Sequence, residues 1–120
     1  MTRKLKISVG EATQGAQRFV EQWRAMELGD APDTPVELLV FEDLETLLRH
    51  LTPARWRLLK ALRSTGPSSV RALSKTTARD YKSVHTDVRI LESIGLIERT
   101  EDKLVFVPWD VITAELLLAA

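Results

Sequence analysis

Cysteine is absent, so the chain has no disulfide, no thiolate metal site and no cysteine nucleophile. Histidine is scarce: His50 and His85 are too few for a zinc site of ordinary composition. The five glycines are scattered and build no phosphate-cradling loop. No Ser/His/Asp arrangement and no carboxylate cluster with metal-ligand spacing is present, so the sequence gives no catalytic residue, no metal ligand, no cofactor and no reason to expect an enzyme. No apolar run approaches the roughly 18 residues of a membrane span. The start, MTRKLKIS, is too polar for a secretory signal. The expectation is a soluble, cytoplasmic chain without a membrane partner.

What is present is an uneven distribution of charge. The total is 17 basic and 17 acidic residues in 120. Residues 1–51 hold six Lys/Arg and nine Asp/Glu, a net of −3. Residues 52–100 hold ten against four, a net of +6, and residues 101–120 hold one against four, a net of −3. A polyanion responds to the local field and not to the sum, so the basic middle is the part that could meet nucleic acid. The competing reading is an ordinary solvated set of helix faces.

Periodicity gives the elements. Lys4–Val9 alternates apolar and polar residues and reads as a strand, closed by Gly10. Ala12, Ala16, Phe19, Val20, Trp23 and Met26 recur at helical spacing over Glu11–Leu28. Asp30–Pro35 is a turn-rich linker, and Val36–Phe41 a second strand. Leu44, Leu47, Leu48 and Leu51 mark one face of a short helix. Thr52-Pro53 caps and starts the next, with Trp56, Leu58, Leu59 and Leu62 as its buried side. Thr65-Gly66-Pro67 stops it. Ser68 or Ser69 caps a short helix carrying Val70, Ala72 and Leu73, broken at Thr76–Ala78. Asp80 caps a longer helix through Ile94, buried through Val84, Val88, Leu91 and Ile94, and Gly95 ends it. LIERT, a turn at Glu101-Asp102, and KLVFV make a hairpin. The last segment is a short helix, or a strand that pairs with the first one.

LSKTTARDYKSVHTDVRILESIGLIER resembles the MarR/ArsR-type winged-helix signature, in which a capped helix ends in L-E-x-x-G-L-I before the wing. The stretch Phe41–Asp110 is similar to a narrower group of small prokaryotic proteins regarded as transcriptional regulators or antitoxin-like proteins. Thr77 stands where such motifs usually have an apolar residue, Thr86 where the narrower group has a basic one, and the wing tip is acidic at Glu101-Asp102. The expected fold class is α+β, mostly helical: a winged helix-turn-helix over residues 42–110, a β-α-β appendage over 1–41 and a tail over 111–120.

The resemblance implies sequence-specific binding of double-stranded DNA in transcriptional regulation, as a homodimer and with autoregulation of its own operon as one form. It equally admits an antitoxin that holds a cognate toxin, and a scaffold that binds only protein. With Val84, Val88 and Leu91 turned inward, the helix from Asp80 offers Lys82, Ser83, Thr86 and Arg89 outward, flanked by Tyr81 and His85; these are the base-reading candidates. Ser68, Ser69, Arg71, Lys75, Arg79, Arg99 and Lys103 are the candidates for the DNA backbone. Dimerisation is assigned to the leader and the tail, since one module reads too few base pairs to be selective. Trp23, Trp56 and Trp109 accompany apolar runs and read as core or interface residues.

Overall fold

A computed structural model of the chain describes residues 3–10 and 36–116. The expected helix over Glu11–Leu28, the Asp30–Pro35 linker and the last four residues lie outside the described residues. The described fold is α+β. It divides into two compact units: residues 1–48 with 109–120, and Arg49–Pro108. The division falls inside the first described helix.

In the first unit, β1 (Lys4–Val9) is the central strand of a three-stranded sheet. It pairs in parallel with β2 (Val36–Phe41) on one side and with β5 (Val111–Leu116) on the other, each over six residues. The tail is therefore a strand on the first strand, the second of the two expected alternatives. A parallel pair cannot be closed by a tight turn, which is why β1 and β2 are separated by a long crossover and β5 returns from the far end of the chain. The alternation in β1 does not produce a wet face: Leu5, Ile7 and Val9 are buried, and so are Lys6 and Ser8. Parallel strands are commonly covered on both faces. Lys6 is neutralised by Glu115 of β5 at 3.0 Å. Arg3 fixes the sheet's end, with its amide donating to Asp110 Oδ2 at 2.7 Å and its guanidinium 4.6 Å over the Trp109 ring. Trp109 itself is buried.

Helix α1 (Leu44–His50) follows β2. The four-leucine face is only partly inward: Leu47 is buried, but Leu44 and Leu48 are 41% and 58% exposed.

The second unit is built from α2 (Pro53–Thr65), α3 (Val70–Thr77), α4 (Tyr81–Ser93) and a hairpin of β3 (Glu98–Arg99) with β4 (Val105–Phe106). Each helix starts on a side-chain cap, as the sequence predicts. Thr52 accepts from the Arg55 amide at 3.2 Å, Ser69 from Ala72 at 3.0 Å and Asp80 from Ser83 at 2.9 Å. Ser69, and not Ser68, is thus the cap of α3. Ser68 instead exchanges backbone hydrogen bonds with Val105 at 3.0 and 2.8 Å, tying the start of α3 to the hairpin. Gly66 ends α2 at φ 83°, a left-handed conformation natural to glycine, and its amide donates to Leu62. Ala78 takes the left-handed turn between α3 and α4 at φ 54°, a conformation that a Cβ atom disfavours.

The core of this unit is Leu58, Leu59 and Leu62 of α2, Leu73 of α3, Val84, Val88 and Leu91 of α4, and Leu96, Ile97, Val105 and Val107 around the hairpin. Two expected core residues differ. Trp56 is 39% exposed; at 100° per residue it sits well off the Leu58–Leu59–Leu62 stripe. Ile94 is half-buried and caps α4 instead of extending it. Thr77, where an apolar residue was expected, satisfies its hydroxyl by donating to Leu73 O at 2.9 Å.

Candidate functional site

Helix α4 has two faces of opposite chemistry. Val84, Val88 and Leu91 are fully covered. On the other side Lys82, Thr86 and Arg89 are exposed, and among the described residues neither Lys82 nor Arg89 has an acidic partner within salt-bridge distance. Cationic side chains left unpaired on a rigid helix keep their full hydrogen-bonding capacity for a ligand. Lys75, on α3, is exposed in the same condition.

The helix start is organised around Asp80. The Ser83 amide, then the Ser83 hydroxyl, hold its carboxyl below the ordinary carboxylate range, with a smaller contribution from the Arg79 charge. A carboxylate whose folded pKa is depressed contributes stability above its unfolded pKa and loses it as pH falls through the folded value. Thermal melts between about pH 2 and pH 6 should therefore show a loss below about pH 4 that is shallower in Asp80→Asn, which caps without a charge. Superimposable pH profiles for the two proteins would contradict the assignment.

Around this start Tyr81 is half-exposed, its ring 5.7 Å from that of His85 on the next turn. The Arg71 guanidinium of α3 lies 5.3 Å over the Tyr81 ring. This cation–π contact links the two helices and leaves the edge of the guanidinium free to donate. Thr86 spends its hydroxyl proton on Lys82 O at 3.0 Å, so it faces outward as an acceptor only. Ser83 is half-buried and serves the cap.

Farther along, His85, Thr86, Arg89, Ile90 and Ser93 line a shallow open concavity. Ile90 and Ser93 were not among the sequence candidates. Their spacing from Thr86, at i+4 and i+7, is the signal that places them on the same face. Ile90 adds an apolar surface of the kind that can meet a thymine methyl group.

Several backbone-contact candidates are engaged within the chain. Arg79 turns toward Asp87 Oδ2 at 2.8 Å and is half-buried. Arg99 pairs with Glu92 at 2.8 Å and donates to Lys103 O. Ser68 donates to Gly66 O at 2.9 Å, and Ser69 is occupied as the cap of α3. Lys103 is exposed beside the equally exposed Glu101 and Asp102, at φ 66° in the hairpin turn. The exposed cations of the α3–α4 segment with no carboxylate partner among the described residues are Arg71, Lys75, Lys82 and Arg89.

A buried ionic cluster, not singled out in the sequence, sits behind this face. Asp87, on the inner side of α4, accepts from Arg55 Nε of α2 at 3.0 Å. Arg55 Nη1 also donates to the Arg49 and His50 carbonyls at 2.9 and 3.0 Å, closing the end of α1. The Arg79 contact is close but poorly aligned, and neither Arg79 Nη1 nor Asp87 Oδ2 has a hydrogen-bond partner. The signal was available: Asp87 follows Val84 by three residues and precedes Leu91 by four, so an acid there must meet a cation.

Among the described residues no group of three His, Asp or Glu side chains is placed to hold a metal ion, and no helix is long and apolar enough to cross a membrane. A family described as HVO_A0114 matches residues 50–114, more than half of the chain. No curated protein and no solved structure matches it.

Proposed function

The chain belongs to the HVO_A0114 family, and we propose that its matched segment is a winged helix-turn-helix that binds double-stranded DNA by sequence and regulates transcription. The observation that carries this reading is the outer face of α4, with Lys82, Thr86 and Arg89 exposed, Ile90 half-buried in the concavity beside them, and no acid paired to its cations among the described residues. In this reading α4 is the recognition helix. Its first turns enter the major groove, Arg89 or Lys82 donates to guanine, and Ile90 meets thymine methyls. Helix α3 lies along the phosphates, with Lys75 and Arg71 setting register. Arg79 and Arg99 are internal clamps and not phosphate ligands. The active species is a dimer, because two recognition helices about 34 Å apart reach successive turns of the duplex. The cellular setting is the cytoplasm.

A second reading has a specific observation behind it. The hairpin tip, Glu101-Asp102, is exposed and acidic, and repels a phosphate backbone. A winged helix whose tip faces protein, either as a scaffold or as an antitoxin holding its toxin, uses that charge instead. Selection of bound fragments from a random DNA pool, followed by mobility shifts on the enriched sequence at two salt concentrations, separates these. The DNA reading expects an enriched palindrome and affinity that falls steeply with salt. No enrichment, with salt-insensitive or absent shifts, would overturn it.

A further inference from the structure

Among the described residues the sheet of the first unit ends on β5, which is there an edge strand. An edge presents a row of unpaired backbone donors and acceptors, and proteins guard such rows with lysine, proline, a bulge or a covering segment. Val111–Leu116 contains no lysine and no proline. It keeps register with β1 at all six positions, so it has no bulge, and no described strand lies on its outer side. Its one charge, Glu115, is turned to Lys6 of β1. Val111 and Leu116 are 43% and 48% exposed, and Thr113 and Ala114 between them are exposed too. The opposite edge is more protected: along β2 only Glu37 is exposed, and it is paired with Arg3 at 3.1 Å.

We infer that β5 is the surface through which two copies of this chain associate, edge to edge and antiparallel about a two-fold axis, joining two three-stranded sheets into one. A two-fold contact needs a segment complementary to itself. With the axis through Ala114, that residue stands opposite its own copy, Thr113 opposite the partner's Glu115, and Ile112 opposite the partner's Leu116, since opposed residues of an antiparallel pair share a face of the sheet. Apolar residues meet at both ends, small ones meet at the axis, and no like charges face each other directly. Because Lys6 neutralises Glu115 within its own chain, covering that carboxylate leaves no unpaired charge at the contact. The inference deepens the dimeric part of the reading above, but its residues lie in a different unit from the proposed DNA-reading face, so the two can fail separately.

The test is sedimentation of the full chain at tens of micromolar, where a dimer is expected. Ala114→Lys sets lysine against lysine at the axis, at a position exposed in the single chain. Self-association should weaken by at least about tenfold. Ala114→Glu should do the same, and mixing the lysine and glutamate proteins should restore a heterodimer. A monomeric parent, a lysine variant that dimerises like the parent, or a mixture that stays monomeric each overturns the inference; the mixture excludes misfolding as the cause of dissociation. A dimer that responds to these variants but never binds DNA leaves this interface standing and removes the DNA reading. A monomeric variant that still binds a half-site separates the two in the other direction.

Discussion

Replacing Asp87 by alanine is expected to destabilise the Arg49–Pro108 unit by about 3 kcal/mol, the lower end of the range for removing one partner of a buried ion pair. The expected loss is large because Asp87 is shared. Its side chain is 11% exposed and sits between Arg55, 15% exposed, and Arg79, 31% exposed. Without it two guanidinium groups remain in a partly covered site with no counter-charge. The exposure of Arg79 lets water recover part of its cost, which is why the lower end of the range applies. For a unit of this size the thermal midpoint should fall by about 12–24 °C, measured by circular dichroism. Arg55→Ala should approach the same loss, since Arg55 makes a well-aligned bond to Asp87 and two more to the Arg49 and His50 carbonyls. Arg79→Ala should cost less, because its contact is misaligned. The double change Arg55→Met with Asp87→Leu should recover much of the stability, as apolar replacements of buried ion pairs often do. A midpoint in Asp87→Ala within a few degrees of the parent would show that the cluster contributes little.

This cluster also marks how far the sequence can be read. The capped helices were legible because a cap is local: Thr52, Ser69 and Asp80 each need only an amide three residues ahead, and no distant residue enters the argument. The inward faces of α2 and α4 were legible because period and burial agree at Leu58, Leu59 and Leu62, and at Val84, Val88 and Leu91. Reading failed where a residue's state depends on a segment distant in sequence. Asp87 was counted among the acids of a basic stretch, since its partners, Arg55 on α2 and Arg79 in the turn before α4, lie 32 and 8 positions away. Arg79 and Arg99 were read as free cations because Asp87 and Glu92, though only eight and seven positions away, do not share a helix with them, so helical spacing does not relate the pairs. Leu44 and Leu48 share a helical stripe with Leu47, but a stripe states only what can be buried and not what arrives to cover it. The strand Val111–Leu116 fell between two alternatives, because its sequence has no strict alternation and only pairing with β1 decides. Within the candidate site, the face of α4 was legible from period alone. The loss of Thr86's proton to its own helix and the linking of Arg71 to Tyr81 required coordinates.

Arg89 is where the functional reading meets its most direct trial. It is exposed on the α4 face that carries Thr86 and Ile90, and among the described residues no carboxylate neutralises it. If it donates two hydrogen bonds to a guanine edge, Arg89→Ala should cost about 1–3 kcal/mol, roughly a five- to 150-fold loss of affinity on the selected sequence. The loss should shrink when the guanine at the matching position is replaced, because the parent then loses the same contact. Lys75→Ala is the control on α3: it should weaken binding to all sequences about equally and lower the slope of log affinity against log salt by about 1. The two variants thus differ in kind and not merely in size, which titrations on matched and mismatched duplexes at several salt concentrations would reveal. Because Arg89 packs against nothing in the core, its thermal midpoint should stay at that of the parent, in contrast to Asp87→Ala. Were Arg89→Ala to weaken every duplex equally, Arg89 would be a phosphate contact and α4 would not be reading sequence through it. Were it to leave DNA affinity unchanged, the outward face of α4 would have to serve another partner, and the acidic hairpin tip would become the better guide to which one.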